Sequence, residues 1–192
     1  MNIVKGPTLT ATLGTGHSPS RKLDRDLADI VLNNLENQQD WTDMRVHGEH
    51  NDCSDGRDDV PTQRHPRTLL SGLPPRRMYI HPDEQIAIMR AERALGHGGR
   101  IPQPPEYEWV LPVHLGETPT VGEFAAIFDS IDALPRAIDG ETDTTATSAD
   151  DNDWKAWRGA RRGKRLLLAV VQDDSSVVYY FMHDGIVKPR QN

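Results

Sequence analysis

Hydrophobic positions fall into a few patterned segments separated by long polar stretches. After Ser20, residues Leu23, Leu27, Ile30, Val31 and Leu35 recur at helical spacing, which predicts an amphipathic helix. "WTDMRV", residues 41–46, alternates Trp41, Asp43 and Arg45 with Thr42, Met44 and Val46 and predicts a short strand with one buried face. "RRMYIHPDEQIAIMRAERALGHGG" predicts a strand at 77–80, then a helix with Pro82 in its first turn, early acids Asp83 and Glu84, and a stop at Gly96. In "YEWVLPVHL" the pattern is that of a strand, and Pro112 points to an edge position or a bulge. Thr120 and Glu123 have capping-box spacing ahead of a helix on which Val121, Phe124, Phe128 and Ile131 share one face. Last comes "KRLLLAVVQDDSSVVYYFMHDG", residues 164–185, which predicts two strands joined by a five-residue polar loop.

Little apolar material lies between these segments. Residues 1–20 are expected to be a flexible arm, and 47–75 and 136–153 insertions that do not pack. The second insertion contains six acids and no base between 139 and 153. What remains is one domain over 21–192, of α/β (α+β) class, with a sheet of four or five strands flanked by helices. "LLLAVV" and "VVYYFM" are apolar on both strand faces, so each face needs cover. The three amphipathic helices of the chain or a partner subunit could supply it.

Composition narrows the function classes. Of 192 residues only 36% are apolar, with 14 prolines and 15 glycines, so the core must come from few segments. A net charge of −7 gives no overall positive field toward nucleic acid or anionic lipid, and any RNA contact has to be local. A single cysteine, Cys53, sits in a polar stretch and reads as a loop thiol. No apolar run reaches the roughly 18–20 residues of a membrane span, and residues 1–20 lack a continuous apolar stretch, so a soluble intracellular protein is expected.

Eight scattered histidines without a paired-histidine helix motif or Cys-x-x-Cys argue against a metal, and no cofactor motif stands out. "GHGGR" reads as a helix stop. Lys155, Arg158, Arg161 and Arg162, with Trp154 and Trp157 turned to the core, either track a phosphate backbone or form a solvated face beside the acidic loop. His183 with Asp184 is either a general base or the polar opening of an Asp-Gly turn.

"GKRLLLAVVQDDSSVVYYFMHDGIVKPRQN" closely resembles the C-terminal end of the smallest accessory subunit of the eukaryotic tRNA-splicing endonuclease, the fungal members above all. The likeness extends more weakly through "EWVLPVHLGETPTVGEFAAIFDSI" and "LADIVLNNLENQQDWTDM". It implies a tRNA-intron-endonuclease-like domain with a mixed, mostly antiparallel sheet, acting as a non-catalytic structural subunit of a heterotetramer. The implied partners are the smaller catalytic subunit and, indirectly, precursor tRNA, with a homodimer as the alternative state of the isolated chain. A nuclear location is implied too, an organelle surface being the alternative.

Cutting relatives are expected to use Tyr, His and Lys without a metal. Lys164 stands where their lysine precedes the triple-leucine strand, but "IPQPPEYE" replaces the segment that carries their histidine, so the set is incomplete. The resemblance assigns Asp173 and Asp174 of the "QDDSS" loop to a basic groove of the cutting neighbour. Val178, Tyr180 and Met182 are expected to form the hydrophobic seam, with Val177, Tyr179 and Phe181 inward or, in reversed parity, outward. Two rival readings remain, a ribonuclease using Lys164 with His114 or His183, and an interaction module unrelated to RNA.

Overall fold

A computed structural model describes residues 19–48, 65–96, 98–135 and 153–185. The expected arm through residue 18, most of the two insertions (49–64 and 136–152) and Cys53 lie outside the described residues. The elements run α1 (Pro19–Gln38), β1 (Thr42–His47), β2 (Leu69–Leu73), α2 (Pro82–Leu95), β3 (Glu108–His114), α3 (Val121–Asp129), two 3₁₀ turns (Asp153–Trp157 and Gly159–Arg161), β4 (Arg165–Val171) and β5 (Val177–His183). The five strands form one sheet in the order β1-β2-β3-β4-β5. Only β3 and β4 pair in parallel, so the sheet is mixed and mostly antiparallel, as expected.

Both sheet faces are covered by the chain's own helices. On one face α1 buries Leu27, Ala28, Val31 and Leu35 against Leu70, Val110, Leu167, Ala169 and Val171, with Trp41 closing the end. On the other, Ile127, Phe128 and Ile131 pack on Leu69, Trp109, Leu111, Val113 and Leu166. Alternate residues of β4 thus feed opposite cores, which is why "LLLAVV" is apolar throughout. Of the two covers that the sequence allowed, the chain's own helices rather than a partner subunit serve most of the sheet, and the need for a partner is corrected there. It survives only at β5, where Val178 is 38% and Tyr180 57% exposed.

Several boundaries differ from the pattern reading for physical reasons. Residues 65–75 are not loose: Leu69 and Leu70 are fully buried in β2, a strand inside the sheet, while 77–80 form no strand. Two leucines flanked by Ser and Gly are too short for a period to show. At Gly72 a Cβ would crowd the Met44 sulfur, the Trp41 ring and the Thr42 carbonyl, so a larger residue would have to displace Met44. In β1 the alternation breaks at a bulge between Thr42 and Arg45, where Asp43 takes φ 52°, and Val46 ends up 48% exposed. Pro112 lies inside the sheet, but β2 pairs only with residues 108–110 of β3, so at Pro112 the strand is bordered on one side only.

The helix signals hold. His81 caps α2 by accepting from the Asp83 N–H, and Gly96 stops it at φ 79°. At α3 Thr120 and Glu123 complete the capping box, with the Glu123 carboxylate 2.6 Å from the Thr120 N–H. Val121, placed by its spacing on the inner face, is 86% exposed at the first helical position. Replacing Ile127 by Ala should therefore cost about 2–5 kcal/mol in denaturant unfolding, and Val121→Ala within about 0.5 kcal/mol. Equal effects would mean that α3 is rotated from this placement.

Candidate functional site

β4 is bordered on both sides, whereas β5 pairs with β4 alone over Val177–His183 and leaves its other edge open among the described residues. Val177, Tyr179 and Phe181 turn toward α1, as one of the two expected parities has it. The Tyr179 hydroxyl donates to Asn34 Oδ1 at 2.7 Å, and burial pushes its pKa up to about 12. Val178, Tyr180 and Met182 occupy the opposite face. Met182 packs partly against the α3 core, so the open apolar strip is carried by Val178 and Tyr180.

The loop between the two strands covers residues 172–176, as expected. It is closed by the Gln172 N–H donating to Ser176 O and the Ser175 N–H to Gln172 O, both at 2.9 Å. Asp174 accepts from the Ser176 N–H at 3.0 Å, and Ser176, through its hydroxyl and its N–H, holds that carboxyl below its ordinary range. Asp173 is anchored elsewhere, its Oδ1 lying 3.0 Å from His114 Nε2 although its side chain is 96% exposed. Since His114 Nδ1 accepts from the Gly116 N–H at 3.1 Å, the neutral ring carries its proton on Nε2 and donates to Asp173. Both carboxylates thus stand exposed at the loop end of the apolar strip.

The basic segment is placed differently. Arg162 is 4% exposed and reaches both oxygens of Glu108, which also pairs with Arg165. Glu106 accepts from Arg162 at 2.9 Å and from the Gly159 N–H at 3.1 Å. Burial opposes the charge of Glu106, but Gly159, Arg162 and Arg77 outweigh it and its pKa falls below the ordinary range. Arg158 donates to Glu84 Oε1 at 2.9 Å and stacks on the Trp154 ring 4.2 Å from its centroid. Arg77 completes the group with Glu84 at 2.8 Å. Four guanidiniums and three carboxylates therefore form one internal network. Arg158 and Arg162, expected to face RNA, are instead engaged by carboxylates, Arg162 buried and Arg158 with 16% of its side chain exposed. Lys155 is half-buried beside Trp154, and Arg161 is exposed.

A Lys-His pairing for catalysis is not assembled among the described residues. Lys164 Nζ donates to the Phe128 carbonyl at 2.9 Å, on the α3 side, and ties down the end of that helix. His183 meets Tyr79 on the opposite side of the sheet, with ring centroids 4.8 Å apart and the planes tilted by 56°. His114 pairs with Val171 at the far end of β4, about 20 Å along the strand from Lys164. No group of three or more His, Cys, Asp or Glu among the described residues has metal-site geometry.

A histidine cluster escaped the sequence reading. His47 Nε2 lies 2.8 Å from Ser71 Oγ and His65 Nδ1 3.0 Å from Ser130 Oγ, with both rings against Trp109. Burial, then His65 and Arg45, lower the His47 pKa to about 4. The imidazoles come together only because β2 was hidden in a polar stretch. Glu108, by contrast, left a readable signal, an acid next to "WVLPV" at an inward strand position.

Both clusters make measurable demands on stability. Glu108→Ala leaves Arg162 and Arg165 buried without their main partner and should cost on the order of 3–5 kcal/mol, while Arg161→Ala should change unfolding by about 0.5 kcal/mol or less. A tolerant Glu108 would mean that the network is open to water. His47 is neutral in both states above its ordinary value of 6.5; below it the unfolded chain binds a proton that the folded chain refuses. Stability should therefore fall between pH 6.5 and about 4, and less steeply in His47→Gln, by up to about 1.4 kcal/mol per pH unit. Parallel pH profiles of the two proteins would contradict this placement of the ring.

Comparison with known proteins gives the same direction as the C-terminal hairpin. The family model described as "Sen15 protein" matches residues 30–192. A Neurospora crassa protein named "Probable tRNA-splicing endonuclease subunit tsp-1" is 52% identical over 166 residues, 86% of this chain and 66% of the relative. "Probable tRNA-splicing endonuclease subunit sen15" of Schizosaccharomyces pombe is 32% identical over 85 residues, 44% of the chain and 50% of the relative. The chain thus spans a little under two thirds and half, respectively, of the length of these two. "tRNA-splicing endonuclease subunit SEN15" of Eremothecium gossypii is 25% identical over 86% of the chain and 91% of its own length. With the match running from within α1 past the closing hairpin, the chain belongs to the Sen15 protein family.

Proposed function

We propose that this chain is a non-catalytic structural subunit of a tRNA-splicing endonuclease, pairing through β5 with the smaller catalytic subunit of a heterotetramer that excises introns from precursor tRNA. The observation that carries the proposal is the outer face of the closing hairpin. Val178 and Tyr180 stand exposed on a strand whose second edge is unpaired among the described residues, and the loop beside them presents Asp173 and Asp174. Strand edges and apolar strips of this kind are completed by another chain, and carboxylates entering a cationic groove set the register. That the relatives are named as subunits of a tRNA-splicing endonuclease supports this reading. A nuclear site of action goes with that role.

The non-catalytic part of the proposal rests on Lys164. Its ammonium is used at the end of α3, and His183 and His114, the imidazoles that the ribonuclease reading pairs with it, lie across the sheet and at the far end of β4.

Tyr180→Asp tests the pairing. It puts a charge into the strip without disturbing the inward residues, so co-purification with the smaller catalytic subunit should weaken at least tenfold while the unfolding midpoint of the free chain barely moves. Reversal of Asp173 and Asp174 to Lys should slow association and invert its salt dependence. A complex indifferent to Tyr180→Asp would show that another face makes the contact. Sizing the chain alone and mixed with the catalytic subunit separates this pairing from a homodimer, and cleavage of precursor tRNA by the purified chain would overturn the structural role.

A further inference from the structure

The internal ion network has a consequence at the surface. Segments 76–108 and 154–165 make one lobe, since α2 packs on the first 3₁₀ turn, His81 stacks on Trp157 at 4.1 Å, and Arg158 and Arg162 donate back to Glu84, Gln103 and Glu106. Together these segments hold eleven Lys and Arg against five Asp and Glu, a surplus of six positive charges on a chain whose net charge is −7. The network uses four of the arginines and three of the acids, and Lys164 is spent on the Phe128 carbonyl. Arg76, Arg90, Arg93, Arg100 and Arg161 are left for the outside. Only Asp83 and Glu92 remain to balance them, and Glu92 is engaged by the Ile101 N–H at 2.9 Å.

These outer cations are not waiting for internal partners. The five arginines are exposed except for their stems, and none pairs with a described carboxylate. Arg90 and Arg93 lie one turn apart on the exposed face of α2, Arg100 follows the helix, and Arg161 stands on the second 3₁₀ turn. Burying Arg158 and Arg162 has thus not discharged the lobe, because their carboxylates are buried with them. The other described residues carry more acids than bases, so a polyanion is drawn to this lobe rather than to the remainder.

We infer that the outer face of this lobe contacts the phosphate backbone of RNA. Guanidinium forks suit phosphate oxygens, and a spread of single cations without a pocket fits a repeating phosphodiester rather than one small anion. That the polyanion is precursor tRNA rests on the proposed endonuclease role; an acidic protein surface is the rival occupant. The contact set differs from the one the sequence suggested, since it draws three of its arginines from α2 and the residues after it and excludes Arg158 and Arg162.

The test uses the assembled endonuclease and a fourfold variant, Arg90→Gln, Arg93→Gln, Arg100→Gln and Arg161→Gln. Assembly should be intact, binding of precursor tRNA should fall about tenfold near physiological salt, and the slope of log affinity against log salt should shrink by about 0.7–0.9 for each contact removed. Lysine at the same four positions should restore the slope. Unchanged affinity and slope would overturn the inference. So would loss of assembly in the variant, which would make the lobe a protein contact. If the unaltered chain joins no endonuclease subunit, the endonuclease role fails instead, and the same comparison on the free chain with precursor tRNA still decides the lobe.

Discussion

The fold turns on one buried carboxylate. Glu108 opens the strand that becomes the centre of the sheet, and at 0% exposure it cannot stay charged unless cations follow it inside. Arg162 and Arg165 do so, from the residues leading into the parallel neighbour β4. Parallel strands cannot be aligned by a tight turn, since a long crossover separates them. Here the ion pairs stand at the junction where the crossover returns, and they fix where β4 begins beside β3. Breaking even on energy against a hydrophobic replacement would not diminish that role, because charged partners accept few alternative registers.

The network also explains how the polar half of the molecule is held without much of a core. α2 buries little beyond Glu84 and Ile88, and it leans on the 3₁₀ turns rather than on the sheet. Its attachment is the Glu84 carboxylate, shared between Arg77 and Arg158, with Gln103 bridging the same two arginines. One guanidinium nitrogen, Arg77 Nε, has no partner in this crowd. A lobe built this way has its charge distribution decided from inside: carboxylates are drawn to the centre, and the surplus of arginine is pushed outward.

How much of this the sequence disclosed follows from the range of the interactions. Local ones were legible: the Thr120–Glu123 box, Pro82 and Gly96 at the ends of α2, and the five-residue loop with its two flanking strands each leave a mark within a few residues. Long-range ones were not. "TLLSGLPP" carries no period, so β2 was invisible although Leu69 and Leu70 are among the most buried residues, and with it went the His47–Ser71 and His65–Ser130 bonds. A run of basic residues reads as a surface because lysine and arginine usually are on one; the exception needed acids some 55 residues earlier in the chain. At the hairpin, alternation gave two faces but could not say which was inside.

That last choice is settled by a polar bond as much as by packing. With apolar residues on both faces of β5, a one-residue slip would exchange Val177, Tyr179 and Phe181 for Val178, Tyr180 and Met182 at modest cost in burial alone. The two tyrosines are not equivalent, however. Tyr179 is turned to α1 and donates to Asn34 there, whereas Tyr180 is 57% exposed. At the other end Asp173 answers to His114, which itself is fixed by Gly116, so the loop resists the same slip. Groups outside the hairpin thus favour this parity at Tyr179 and at the loop. Tyr180 can then remain exposed on a stable fold, because the residues that hold the hairpin and the residues that it offers outward are different ones.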